Sequence, residues 1–320
     1  MSRLPSGLWG TRSCARRGPL GIACLAAPFL LAIAANAQPP EAFQISVDVS
    51  LVVLQATVSG RNGHFPPDLT EQNFTVYEDG VRQTIKLFRH EDVPVTVGLV
   101  VDHSGSMFPK LREVVAAARS FVESSNERDQ LFVVNFNDRV STALTHGSPF
   151  LALSDHLGLE NALLGIPAIG MTRLYDAVGE AQEQVRAGTA DKKALIVISD
   201  GGDNASKHKL PEILNKAESS PALIYTIGIF ADNDPDKNPD ILRRLARFTG
   251  GEAFFPAHLE DTVAICRQIA HDIRNQYTLG YVSTNSAKNG TFRNIRVEAV
   301  APAQGKLAVR TRSGYIAVAP

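Results

Sequence analysis

The stretch Asp102-His103-Ser104-Gly105-Ser106 places one carboxylate and two hydroxyls at alternating positions. Side chains so spaced in a loop can converge on one cation. They are hard oxygen donors, which suit Mg²⁺ or Ca²⁺ rather than zinc. Two further segments offer the same chemistry. Thr172 stands in Gly170-Met171-Thr172, just before a helical pattern that begins near Leu174, and Asp200 ends the apolar run Ile196-Val197-Ile198-Ser199. Asp102, Ser104, Ser106, Thr172 and Asp200 are therefore the candidate metal ligands. Two carboxylates and three hydroxyls fall short of the roughly six oxygens that Mg²⁺ takes, so a position stays open for the carboxylate of an incoming ligand. Mg²⁺ is the expected ion, and Mn²⁺ or Ca²⁺ would accept the same oxygens.

Other residues with chemistry to offer read more plainly. Asp232, Asp234, Asp236 and Asp240 begin like a calcium-binding loop, but Lys237 stands where such a loop needs Gly and Arg243 where it needs a bidentate Glu. A solvated loop that caps the helix after Pro239 is the better expectation. His103 beside Ser104 invites a hydrolase reading. A nucleophile elbow needs Gly-x-Ser-x-Gly, and the run Val101-Asp102-His103-Ser104-Gly105 does not form one. The other histidines show no paired metal-ligand spacing. Cys266 lies on an apolar helix face with Leu259, Val263, Ala270 and Ile273, as a buried structural thiol does. Met107 and Met171 flank site residues and read as gap-filling packing, with a mobile apolar rim as the other reading. No catalytic residue is expected.

The elements that must hold these residues follow from periodicity. Val95–Val101 is a continuous apolar run ending in Asp102. Leu111, Val114, Val115, Ala118, Phe121 and Val122 follow at helical spacing. Leu131–Phe136, Ala194–Ser199, Ala222–Phe230 and Ala253–Phe255 read as strands. Leu174–Val185, Ile241–Phe248 and Leu259–Ile273 read as helices. Strands apolar on both faces alternating with amphipathic helices mean a parallel sheet wrapped by helices. Asp102 and Asp200 then share the carboxyl edge of one sheet, where ligands of open α/β sheets collect.

The flanks differ. Residues 44–58, Phe74–Tyr77 and Val81–Phe88 read as strands, with Asp79-Gly80 as a hairpin turn. Tyr277–Val282, Thr291–Val300 and Lys306–Thr311 read the same way. Neither flank alone has strands enough for a stable core. We expect them to pair into one small β-sandwich with the α/β block between them, the alternative being two separate β extensions.

At Asp102, Ser104, Ser106, Thr172 and Asp200-Gly201 the sequence resembles the metal-ion-dependent adhesion site (MIDAS) of von Willebrand factor A (VWFA) domains, over about residues 93–275. The resemblance implies a doubly wound, mostly parallel α/β fold of the VWA or Rossmann-like kind. It implies that Ser104, Ser106 and Thr172 bind the metal directly or through water, with Asp102 and Asp200 assisting largely through water. His103 and Met171 depart from the usual fillers, and neither removes a ligand. Asn73–Gly80, Asn275–Tyr281 and Arg312–Tyr315 resemble a VWFA-related family abundant in acidobacteria, which implies a bacterial exported protein.

The N-terminus agrees with export. Arg3, Arg12, Arg16 and Arg17 precede an apolar run from about Leu20 to Ala34, and Ala35-Asn36-Ala37 offers a cleavage site. That is the pattern of a secretory signal peptide. Its removal takes four arginines and leaves 28 basic against 33 acidic side chains, with Cys266 the remaining cysteine. No basic run survives to suggest nucleic acid. The expected division is a signal peptide at 1–37, β segments at 38–92 and 276–320, and a VWFA domain at 93–275. The expected function is that of a secreted or periplasmic adhesion-type module. Its Mg²⁺ would coordinate an Asp or Glu of a partner protein. The alternative is a scaffolding protein of the cell envelope whose metal only braces loops.

Overall fold

The computed structural model describes residues 51–60, 65–66, 69–144, 147–230, 236–302 and 304–318. The expected signal segment, the strand residues before Leu51, and Asp232 and Asp234 lie outside them. Every residue of Val95–Asp102 (β5) is buried, as befits a strand covered on both faces. β5 is flanked in parallel by β6 (Gln130–Phe136) and β8 (Lys192–Ser199). β9 (Leu223–Gly228) and β10 (Ala253–Phe254) extend the sheet in parallel, and β7 (Val140–Thr142) closes the far edge antiparallel to β6.

Alternation along β5 sorts the two faces. Val97, Leu99 and Val101 pack with α1 (Leu111–Glu123), α2 (His156–Leu163) and α6 (Asp261–Arg274). Val100 packs on the other side with α3 (Leu174–Arg186), α4 (Leu210–Glu218) and α5 (Pro239–Thr249). This is the doubly wound α/β arrangement. Gly98 sits where a Cβ would collide with the Phe132 ring. α5 stops at Gly250, which takes φ +89°, a conformation that glycine adopts without steric cost.

The flanking strands form two antiparallel sheets. One has the order β14-β1-β11-β4, from Ala308–Arg310, Leu51–Ser59, Tyr277–Val282 and Ile85–Arg89. The other has the order β13-β12-β2-β3, from Gly305–Lys306, Phe292–Ala301, Phe74–Glu78 and Val81–Gln83, with β15 (Gly314–Ile316) also on β12. β1 pairs with β11 and β2 with β12, so each flank completes sheets with strands from the other. Leu54, Val76, Tyr277, Leu279, Tyr281 and Val297 share one apolar cluster.

Polar contacts tie these sheets to the α/β block. The Gln276 side chain donates to Tyr225 Oη at 3.2 Å and to Thr57 Oγ1 at 3.3 Å. The buried Lys192 ammonium faces four main-chain carbonyls, among them Glu91 O at 3.3 Å and Gln276 O at 3.3 Å. No helix among the described residues is long and apolar enough to cross a membrane.

Candidate metal centre

Asp102 closes β5, and Asp200 follows the last residue of the neighbouring parallel strand β8. Parallel neighbours end at the same edge, so both carboxylates stand at the carboxyl edge of the sheet. Asp102 Oδ1 accepts the Ser104 N–H at 2.8 Å. That is an Asx-type turn, and it swings the chain out of the strand. The Ser104 and Ser106 hydroxyl oxygens then lie 3.1 Å apart. Ser106 Oγ donates to Asp200 Oδ2 at 2.5 Å, joining the two strand ends.

Thr172 arrives on a third loop. Gly105 N–H donates to Gly170 O at 3.3 Å, which brings that loop against the first. Gly170 has φ +84°, and a Cβ there would collide with the Asp138 carboxylate, whose Oδ1 accepts the Met171 N–H at 2.8 Å. The Thr172 N–H donates to Asn204 Oδ1 at 2.9 Å, and Thr172 O accepts from Asn204 and Ala205 N–H at 3.1 Å each. The structure thus links Asp102, Ser104, Ser106 and Asp200 in one hydrogen-bonded chain and holds Thr172 by its backbone on the adjoining loop.

Asp102, Ser104, Thr172 and Asp200 are buried, and Ser106 is half-buried. Burial, and then the negative charge of Asp200, push the Asp102 carboxyl up to about 6. Two buried carboxylates that oppose each other, together with hydroxyls, fit a hard divalent cation.

Four residues at the centre carry no motif signal. Ser199 Oγ donates to Asp102 Oδ2 at 2.6 Å and accepts the Gly201 N–H at 3.0 Å. Asn204 and Asp138 hold the Thr172 loop, and Asp203 Oδ2 accepts the Tyr175 N–H at 2.9 Å in the first turn of α3. The polar run Ser199-Asp200-Gly201-Gly202-Asp203-Asn204 after a buried strand was the available clue.

His103 is buried and turned away from chemistry. Its Nδ1 lies 3.1 Å from Val101 O and its Nε2 2.7 Å from Leu163 O, so both ring nitrogens face main-chain carbonyls. Desolvation lowers its pKa. Asp236 and Asp240 are exposed, and Asp240 pairs with Arg243 at 2.9 Å. The cap of α5 comes from Asn238 Oδ1, which accepts the Ile241 N–H at 3.3 Å. Met107 is buried packing, whereas Met171 is 53% exposed because its loop is held from the backbone and turns the side chain outward.

Comparison with known proteins places the fold. The profile of the von Willebrand factor type A domain family matches residues 96–265, more than half of the chain. A von Willebrand factor type A protein from Catenulispora acidiphila superposes with a TM-score of 0.51 at 12% identity, over 84% of this chain and 73% of that one. Proximal thread matrix protein 1 from the mussel byssus superposes with a TM-score of 0.50 at 14% identity, over 62% of this chain and 51% of that one. At such identities the likeness is one of fold. An uncharacterized protein of Synechocystis, sll0103, is 24% identical over 189 residues, 57% of this chain. The chain spans 42% of the length of that curated relative.

Proposed function

Because the chain belongs to the von Willebrand factor type A domain family, we propose that it is an exported, Mg²⁺-dependent protein-binding module. The observation that carries this reading is the Ser106–Asp200 hydrogen bond, which joins two strand ends inside a buried cluster of oxygen donors. Ser104, Ser106 and Thr172 hold the ion through their hydroxyls. Asp102 and Asp200 orient those hydroxyls and balance the charge. When bound, Mg²⁺ supplies positive charge and an open coordination position for an Asp or Glu of the partner. The chain's own contribution is a preformed cradle of oxygen donors at the sheet edge, braced by the Ser106–Asp200 and Ser199–Asp102 hydrogen bonds. Export follows cleavage near Ala37 and delivers the module to the periplasm or beyond.

Calorimetric titration of Mg²⁺ into the purified protein tests this, with Asp102→Ala/Ser104→Ala as the control. Saturable binding that the double variant loses is the expected result. A wild-type protein with no saturable binding at millimolar Mg²⁺ would remove the metal from the reading.

A second reading rests on the hydrogen bonds by which the Gly105, Gly170 and Asn204 loops brace one another. In it the metal steadies these loops while a scaffold surface binds elsewhere. Partner capture that survives chelation, with a lowered melting temperature, would favour that scaffold.

A further inference from the structure

Among the described residues of the α/β block, the exposed large apolar side chains are Phe108, Leu144, Leu157, Leu164, Ile169 and Met171. None comes from α1, α3, α4, α5 or α6. Apolar residues exposed singly need no explanation, whereas a set gathered in one place marks a contact surface. Three of these six border the candidate metal centre. Phe108 is two residues past Ser106, Met171 directly precedes Thr172, and Ile169 lies three residues before Thr172. Each stands within about 12 Å of chain of a candidate ligand. Phe108 is 71% exposed, Ile169 59% and Met171 53%. The two loops that carry them touch where the Gly105 N–H donates to Gly170 O at 3.3 Å.

The backbone fixes this display. The 3₁₀ turn Gly105–Lys110 is anchored from within by the buried Met107 and by the Lys110 ammonium, which donates to Ile229 O at 2.9 Å. With Met107 turned in, Phe108 is turned out. On the other loop the Ile169 N–H donates to Pro167 O at 3.1 Å, and Asp138 Oδ1 accepts the Met171 N–H at 2.8 Å. Gly170 between them takes φ +84°. Loops braced in this way need little further ordering when a partner covers them.

An apolar rim around an ion selects what lies beside the group that the ion takes. A free acidic metabolite or a sugar acid would fill the open metal position and leave the rim in water. A peptide whose acidic residue has large apolar neighbours fills both, and burial of the rim then adds to affinity. A lipid surface is the other apolar occupant, but interfacial binding favours basic neighbours. Here a carboxylate, that of Asp138, holds Met171, and Arg173 is paired with Asp176 at 3.8 Å. Resting on the metal-dependent reading above, we propose that Phe108, Ile169 and Met171 set its specificity. They select a partner segment whose metal-coordinating Asp or Glu is flanked by Leu, Ile, Met or Phe.

Phage-displayed random peptides with a fixed Asp or Glu, panned on the purified protein in Mg²⁺ and eluted by chelation, test the proposal. Large apolar residues should be enriched beside the acid. The most enriched peptide, made synthetically, should bind Phe108→Ser/Met171→Ser about tenfold or more weakly than wild type. Phe108→Leu/Met171→Leu should recover most of that affinity, since apolar surface is what counts. Mg²⁺ titration by calorimetry separates this proposal from the reading beneath it. Wild-type Mg²⁺ affinity in the serine variant, with the peptide lost, supports the rim, whereas a wild-type protein that binds no Mg²⁺ would overturn both. With Mg²⁺ binding intact, polar or charged flanks, no peptide eluted by chelation, or equal peptide affinity in the serine variant would overturn the rim alone. Sedimentation of the wild type, but not of the serine variant, with phosphatidylcholine–phosphatidylglycerol vesicles would assign these side chains to a lipid surface and overturn the peptide assignment.

Discussion

The Ser199 hydroxyl bears on the candidate metal centre although no motif includes it. It donates to Asp102 Oδ2 at 2.6 Å, and both groups are fully buried. Ser199→Ala leaves that carboxylate oxygen without its donor. It should lower stability by about 1–3 kcal/mol, read from the urea midpoint, and weaken Mg²⁺ binding in the same calorimeter. Unchanged values for both would mean that Asp102 is positioned by its own turn alone. The motif residues were legible because Asp102, Ser104 and Ser106 are near neighbours in sequence and Asp200 closes a recognisable strand. Ser199, Asn204 and Asp138 were not, since loop Ser, Asn and Asp are common and only folding shows what they hold. Cys266 was legible from its apolar helix face, and it is buried in the core. Burial pushes its thiol up to about 12, against roughly 8.5 when unfolded. The folded state therefore keeps this proton over that interval. The stability linked to the thiol is full below roughly pH 8.5 and is lost as pH rises toward 12. At pH 8 a disulfide reagent should leave the native thiol unmodified and label it completely in denaturant. Rapid native labelling would contradict this burial.

Elements were legible where one physical signal dominates. β5, β8 and β9 are buried along almost their whole length, with apolar runs at their centres, because helices cover both faces. α1, α3, α5 and α6 carry apolar residues at helical spacing for the same reason. α2 and α4 escaped notice. α2 is short and contains Gly158, and α4 starts at a lysine cap where Glu212 accepts the Lys209 N–H at 3.0 Å. β13, β14 and β15 span only two or three residues each and exist because β1 and β12 lie beside them. Two glycines test the packing of elements around the sheet. A Cβ on Gly98 would meet the tips of Phe132 and Leu195, whereas one on Gly251 would meet the backbone of Ile224 in β9. Side chains can shift where a paired strand cannot. Gly98→Ala should cost about 1–3 kcal/mol as an overpacked core does, and Gly251→Ala should cost more. The reverse order of urea midpoints would show that the α5–β10 corner yields more easily than the core.

At the scale of the whole molecule, the α/β block and the flanking strands are joined by polar contacts that sequence could not foretell. The partners come from distant stretches: Thr57 with Gln276, Glu91 with Lys192, and Asp272 with Arg310. The last of these is the most exacting. Asp272 on α6 is fully buried, and its Oδ2 accepts from Arg310 of β14 at 2.7 Å while Oδ1 has no partner. Burial raises the Asp272 carboxyl to about 7, so Arg310 is what makes a charged group tolerable there. Removing one partner of such a pair strands the other, whereas replacing both by apolar residues of similar volume is often neutral. Arg310→Met should therefore destabilise the protein by about 3 kcal/mol, and Arg310→Met/Asp272→Leu should recover most of that loss. If the pair couples the two halves, the single variant should also separate the melting of the flanking sheets from that of the α/β block. Calorimetry would show the split as a second transition, and the double variant should restore one. Additive losses with a single transition throughout would mean that the shared apolar surfaces hold the halves together without this ion pair.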